Sequence, residues 1–287
     1  PKGQDIRFSE VRIEQGRDFC NKLWNVSRFR QMSGGTADNT DLGNIIGRIE
    51  IDYVSKDDHA ILLRLAETLD EAERLYAEYE FNSVLHAIYH FFWTDFCDWY
   101  IEVSKPRLSD EQTKQTCLAV QDICIRQILL LLHPYTPFIT EELWLLLGYS
   151  TQRSIQGFSA GTGLQIHQQI SERGIYLEQK SLEEVRMTRE TTTQIRALKA
   201  ERNLSNNRNV EFFFSSDENQ EETIRENESS ILAMVGAAAL KKADSAPSGL
   251  PASITPLGTF FLDLSSGVDL VSVRKRFSKE AKALQVI

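Results

Sequence analysis

Between Asp57 and Gly148 the chain carries four consecutive stretches of apolar residues at helical spacing, parted only by short breaks. The stretch from Asp57 to Tyr79 contains "ILLRLAETLDEAERLYAEY", with its acidic residues on an outer face. Phe81 to Val103 is dense in aromatics and too apolar to be exposed on any side; Lys105-Pro106 breaks it. Ser109 to Leu132 reads as a long helix, with Ser109 as N-cap and Asp110-Glu111 in the first turn, where the helix dipole favours acids. In "HPYTPFITEELWLLLG" the prolines stop one helix, Thr140 is expected to cap the next, and Gly148 ends it. Helices this apolar and this closely spaced must bury their faces on one another, which predicts a helical bundle.

The bundle is expected to open with one more helix over residues 9–32, where Val11, Ile13, Phe19, Leu23, Val26 and Phe29 recur near helical spacing and Gly34-Gly35 ends the run. Residues 36–55 read as a loop or short helices. After Gly148 the character changes. "YSTQRSIQGFSAGTGLQ" is rich in Gly, Ser and Thr and reads as a linker or long loop, 151–180. Leu182 to Arg202 is helical again, and short β-like runs follow at Val210–Phe214, from Ala238, and at Thr259–Leu264. The fold class is therefore mainly α: a bundle over 1–150, a small α+β unit over 181–268, and a basic amphipathic helix over 269–287.

The 41% hydrophobic and 25% charged content of the 287 residues is ordinary for a soluble globular protein, and the chain is long enough for two domains. The longest apolar run, Ile125 to Leu132, falls short of the roughly 20 residues of a membrane span, so no membrane partner is expected. Cys20, Cys97, Cys117 and Cys124 form no C-x-x-C pair and read as reduced, mostly buried thiols of a cytoplasmic protein. The net charge of −9 hides an asymmetry. Residues 1–34 hold seven basic and four acidic residues, residues 270–287 five and one, and the body 20 and 36. Basic ends on an acidic body suit a polyanion that touches the ends.

No catalytic constellation is legible. There is no G-x-x-x-x-G-K-[ST] loop, and "GFSAGTG" at 157–163 lacks the flanking strand and helix of a dinucleotide turn. His86 and His90 stand four apart near Asp95 and Cys97, but they sit within a wall of aromatics, so packing explains them better than a metal. Asp95 and Asp98 are expected to hold hydrogen bonds from Tyr or Arg rather than to act as acid and base. No metal site and no catalytic residue is expected.

Longer stretches carry a resemblance. "RDFCNKLWNVSRF" (17–29), "FCDWYIEVSKPRL" (96–108), "LLHPYTPFITEELW" (131–144), "IRALKAERNLSNNRNVEFFF" (195–214) and "LGTFFLDLSSGVDL" (257–270) resemble, in order, the anticodon-binding and following regions of bacterial-type valyl-tRNA synthetases. "NKLWN" with "FCDWY" points to the valine branch, while "HPxxPFITEELW" is shared more loosely by the isoleucine and leucine enzymes. The class I signatures, His-x-Gly-His and Lys-Met-Ser-Lys-Ser, are absent, and there is no room for an editing domain.

The resemblance thus implies the anticodon-binding part of a ligase that attaches valine to its tRNA with ATP and magnesium. It implies a cut piece that is inactive alone and needs no cofactor itself. Its implied partners are valine tRNA and the catalytic domain of the same polypeptide, in a cytoplasmic monomer. A freestanding synthetase-like helical protein that binds RNA or a protein partner, and an isoleucine- or leucine-type fragment, are the alternatives.

Reading an anticodon takes cations for phosphates and planar or amide groups for unstacked bases. The opening helix offers Arg17, Lys22, Asn25, Arg28 and Arg30 for RNA contact. Trp24 is expected in the core, with base stacking as its alternative role. At the other end Arg274, Lys275, Arg276, Lys279 and Lys282 form a basic helix. The resemblance implies that it is the start of a truncated coiled-coil arm lying against the tRNA elbow.

Overall fold

The structure, a computed structural model, describes residues 9–37, 41–150, 155, 159, 161–243, 247 and 249–263. The basic helix expected at 269–287, with Arg274, Lys275, Arg276, Lys279 and Lys282, lies outside the described residues. The chain divides into two compact units, residues 1–182 and 183–287.

The first unit is helical. Its elements are α1 (Glu10–Gly34), α2 (Leu42–Ile46), α3 (Lys56–Ala77), α4 (Phe81–Tyr89), a π-helical stretch (His90–Tyr100), α5 (Ile101–Ser104), α6 (Glu111–Leu132), α7 (Pro137–Leu146) and α8 (Thr162–Glu172), with single 3₁₀ turns at Ile51–Tyr53 and Arg107–Ser109. At the centre is α6, which packs against α1, α2, α3, α4 and α7. It is long and apolar enough to cross a membrane by length and composition, yet 83% of that window is buried inside the bundle. It is a core helix, and Ile123, Cys124, Ile128, Leu129 and Leu131 are fully covered.

Two caps differ from expectation. Asp110 rather than Ser109 caps α6, its carboxylate accepting from the Gln112 N–H at 3.0 Å; Ser109 is taken up in the 3₁₀ turn before it. Nor does Thr140 cap α7. That helix starts with Pro137 in its first turn, where a missing N–H costs nothing. Thr140 is buried one turn inside, its hydroxyl donating to the Thr136 carbonyl at 3.0 Å.

The stretch expected as a linker holds α8, which packs on α3. The glycine that suggests a loop serves close approach instead: a Cβ on Gly163 would stand 3.0 Å from the Ala66 carbonyl oxygen of α3 and would clash with the Asp70 carboxylate.

Polar groups tie the bundle together below α6. Asp58 is fully buried and accepts from the Tyr100 hydroxyl at 2.6 Å and from the Arg107 guanidinium at 2.8 Å. Cys97, Cys117 and Cys124 are buried, and burial pushes the Cys97 thiol up to about 12 and Cys117 up to about 11; Cys20 is half-buried.

The second unit holds all but the first turn of α9 (Gln179–Glu201), and β1 (Glu211–Ser215), α10 (Glu218–Glu226), α11 (Glu228–Val235), β2 (Ala239–Lys242), β3 (Ala252–Thr255) and β4 (Gly258–Asp263). The strand β3 has no counterpart among the expected runs. Sheet order is β2-β1-β4-β3, with β1 parallel to β2 and antiparallel to β4. The parallel pair requires the α10–α11 crossover. Register sets Phe212 opposite Leu262 and Phe214 opposite Phe260, all four fully buried with Ile195, Ile224 and Ile231.

Candidate nucleic-acid interface

Helix α1 presents two faces. Leu23, Val26, Ser27 and Arg30 are buried, with Phe19 and Phe29 packed beside them. Arg17, Asn21, Trp24, Asn25, Arg28 and Met32 are exposed. Residues 17, 21, 24, 28 and 32 follow helical spacing, so the exposed set forms one continuous stripe over four turns.

The cations on this helix differ in what holds them. Arg17 is exposed and lies 3.6 Å from the equally exposed Asp18. Arg28 is exposed and makes no ion pair among the described residues. Lys22 stands off the stripe, donates to Asp98 at 3.1 Å, and lies over the Trp93 ring at 5.1 Å from its centroid. The π-helical stretch supplies both partners, so Asp98 meets Lys22 where a Tyr or Arg donor is expected. Asp95 pairs with Arg64 at 3.4 Å as expected, and His90 lies 3.6 Å from it. Among the described residues no three His, Cys, Asp or Glu side chains gather as metal ligands.

Arg30 does not belong to the RNA-facing set. Its guanidinium is buried, donating to the Asp122 carboxylate of α6 at 2.6 Å and to the Gly35 carbonyl at 3.0 Å. Asp122 also accepts from the Tyr149 hydroxyl at 2.9 Å. Burial behind these two bonds, rather than saturation of its donors, keeps this cation from a phosphate, since its Nε–H is also buried and has no partner among the described residues.

Trp24 is not in the core. It is exposed and lines an open groove of about 760 Å³ with His133, Pro137, Phe138, Glu141 and Glu142. Phe138 is 90% exposed, because the first turn of α7 carries it outward. The His133 Nδ1 is held 2.9 Å from the Thr140 hydroxyl. Two aromatic rings beside carboxylate acceptors suit an unstacked base, whose amino groups donate, and repel a phosphate. The cations of the α1 stripe suit the phosphates. Sequence reasoning missed Phe138 and His133; the available signal was an aromatic directly after a proline at a helix start, where side chains project to solvent.

Residues 58–213 match a family described as the anticodon-binding domain of tRNA ligase. The chain belongs to this family. The match begins inside α3 and ends inside β1, so α1 precedes it and α4 to α9 lie within it. The chain is also similar to the valine–tRNA ligases of Anoxybacillus flavithermus (43% identical over 146 residues), Bacillus subtilis (42% over 146) and Geobacillus stearothermophilus (41% over 146). Each match covers 50% of this chain and 16% of the relative.

Proposed function

We propose that this chain is the anticodon-reading part of a valine–tRNA ligase and binds valine tRNA through α1 and the groove beside it. One observation carries the reading: Trp24 and Phe138, on different helices of an anticodon-binding family member, line one groove flanked by the Arg17–Arg28 stripe. In this reading Arg17 and Arg28 hold phosphates and Asn25 offers amide contacts. Lys22 joins them once RNA replaces Asp98 as its partner. Trp24 and Phe138 take an unstacked base.

The parent enzyme is a cytoplasmic monomer that uses ATP and magnesium on a catalytic domain of the same polypeptide. The described residues of this chain carry neither a phosphate loop nor a cluster of metal ligands to which those groups could be assigned. On this reading the chain alone binds tRNA and activates no amino acid. The test pairs a titration of valine tRNA against an anticodon-substituted transcript with a valine-dependent ATP–pyrophosphate exchange assay. Preference for the valine anticodon with no exchange is the expected result. Equal affinity for both transcripts overturns anticodon reading, and exchange above blank overturns the inactivity.

A further inference from the structure

A second concentration of positive charge lies in the other unit. Residues 196–208 hold Arg196, Lys199, Arg202 and Arg208 against the single acid Glu201. Arg196, Arg202 and Arg208 are exposed, and none is in an ion pair among the described residues. Three other cations of the unit are paired: Lys241 with Glu211, Lys242 with Glu221, and Arg225 with Glu228 at 3.1 Å.

Two of these charges, Arg196 and Lys199, line a cleft of about 350 Å³ with Thr193, Ser205 and Val235 and no carboxylate in its wall; Arg208 is not in the lining but stands beside Lys199 at Gly236. Lys199 is buried, donating to the carbonyls of Val235 at 3.0 Å and Gly236 at 2.6 Å at the end of α11. An ammonium has three protons, so one has no acceptor among the described residues. Burial, then the nearby charges of Arg208 and Arg196, lower the Lys199 pKa. Two like charges in one concave, acid-free wall, with a third beside Lys199, repel one another until an anion sits among them. The lining also carries the hydroxyls of Thr193 and Ser205 and no aromatic ring. Cations with hydroxyls are the groups that hold phosphate and sugar, and the lining offers no aromatic ring as a stacking platform for a base.

We propose that the Arg196–Lys199 cleft, with Arg208 beside it, binds phosphodiester groups of RNA, as a sequence-independent anchor separate from the α1 stripe. The inference rests on the reading of the chain as RNA-binding but not on which helix reads the anticodon.

The test uses the full chain and its Arg196→Ala/Arg208→Ala variant, titrated with valine tRNA and an anticodon-substituted transcript from about 50 to 200 mM salt. Both arginines are exposed, so an unchanged melting curve is expected; Arg196→Gln/Arg208→Gln gives a second variant if it shifts. The slope of log affinity against log salt should shrink by about 0.7–0.9 for each phosphate contact removed, with the preference between transcripts unchanged. An unchanged slope overturns the anchor, whether or not the preference stands. A slope that shrinks on a wild-type chain showing no preference keeps the anchor and rejects anticodon reading. Inorganic phosphate is the second probe. If it competes with RNA no better than chloride at equal ionic strength, the source is the RNA backbone. If it saturates the wild type but not the variant while the RNA slope stays the same, the cleft is a free-phosphate site and the proposal falls.

Discussion

Arg30 of α1 and Asp122 of α6 form an ion pair at 2.6 Å with both side chains almost fully covered. The pair fixes α1 to the central helix and sets which side of α1 faces outward. Removing one partner leaves a buried charge without compensation. Arg30→Met should therefore cost about 3–5 kcal/mol in urea unfolding. The double variant Arg30→Met/Asp122→Leu should recover most of that loss. A single variant as stable as wild type removes this account of the α1–α6 contact.

Lys22 and Asp98 are a partly exposed pair, and such pairs contribute about 0.2–1 kcal/mol. Stability should change little in Asp98→Asn. Its tRNA affinity should rise by up to about fivefold, because the phosphate no longer competes with a carboxylate for Lys22. Lys22→Ala should weaken binding without unfolding the bundle. The measurement is a tRNA titration beside a thermal melt; an affinity that falls in Asp98→Asn would place Lys22 outside the interface.

Trp24→Ala and Phe138→Ala should each change stability by no more than about 0.5 kcal/mol, since both rings stand at the surface. Each should lose about 1–3 kcal/mol of tRNA binding if a base stacks there. Leu23→Ala, one position away and 1% exposed, should do the reverse and cost about 2–5 kcal/mol of stability. Full tRNA affinity in both aromatic variants would remove the groove from the interface.

Asp57 gives a pH signature. Burial pushes its carboxyl from the ordinary 3.8 up to about 6, against the lowering effect of the bond from the Trp99 indole N–H at 2.9 Å. The folded state binds this proton more tightly than the unfolded chain. Its contribution is therefore fully present below about 3.8 and is lost as pH rises through about 6. Asp57→Asn keeps an acceptor for Trp99 and removes the titration. It should be more stable than wild type at pH 7 by on the order of 1 kcal/mol, a figure kept low because solvent partly screens the site. The advantage should shrink by pH 4.5. Urea unfolding at both values decides it: an advantage that is equal at the two rejects the shift.

Helix placement was legible because it is local. Apolar spacing and prolines located α1, α3, α6, α7 and α9 within a few residues, and three of the four strands announced themselves as β-rich runs. The resemblance in "NKLWN" and "HPYTPFITEELW" located the family for the same reason, since contiguous residues carry it. What a helix covers with each face is not local. Arg28 and Arg30 are the same residue type two positions apart. One is exposed, and the other is buried only because Asp122, 92 residues on, stands opposite it. Trp24 reads as core by hydrophobicity but faces a groove completed by Phe138 of α7. The glycines near 161 read as a loop until the surface of α3 shows why Gly163 has to be small. Periodicity tells which side chains share a side of a helix; only the neighbouring helices decide which side is covered, because burial belongs to both partners of a contact.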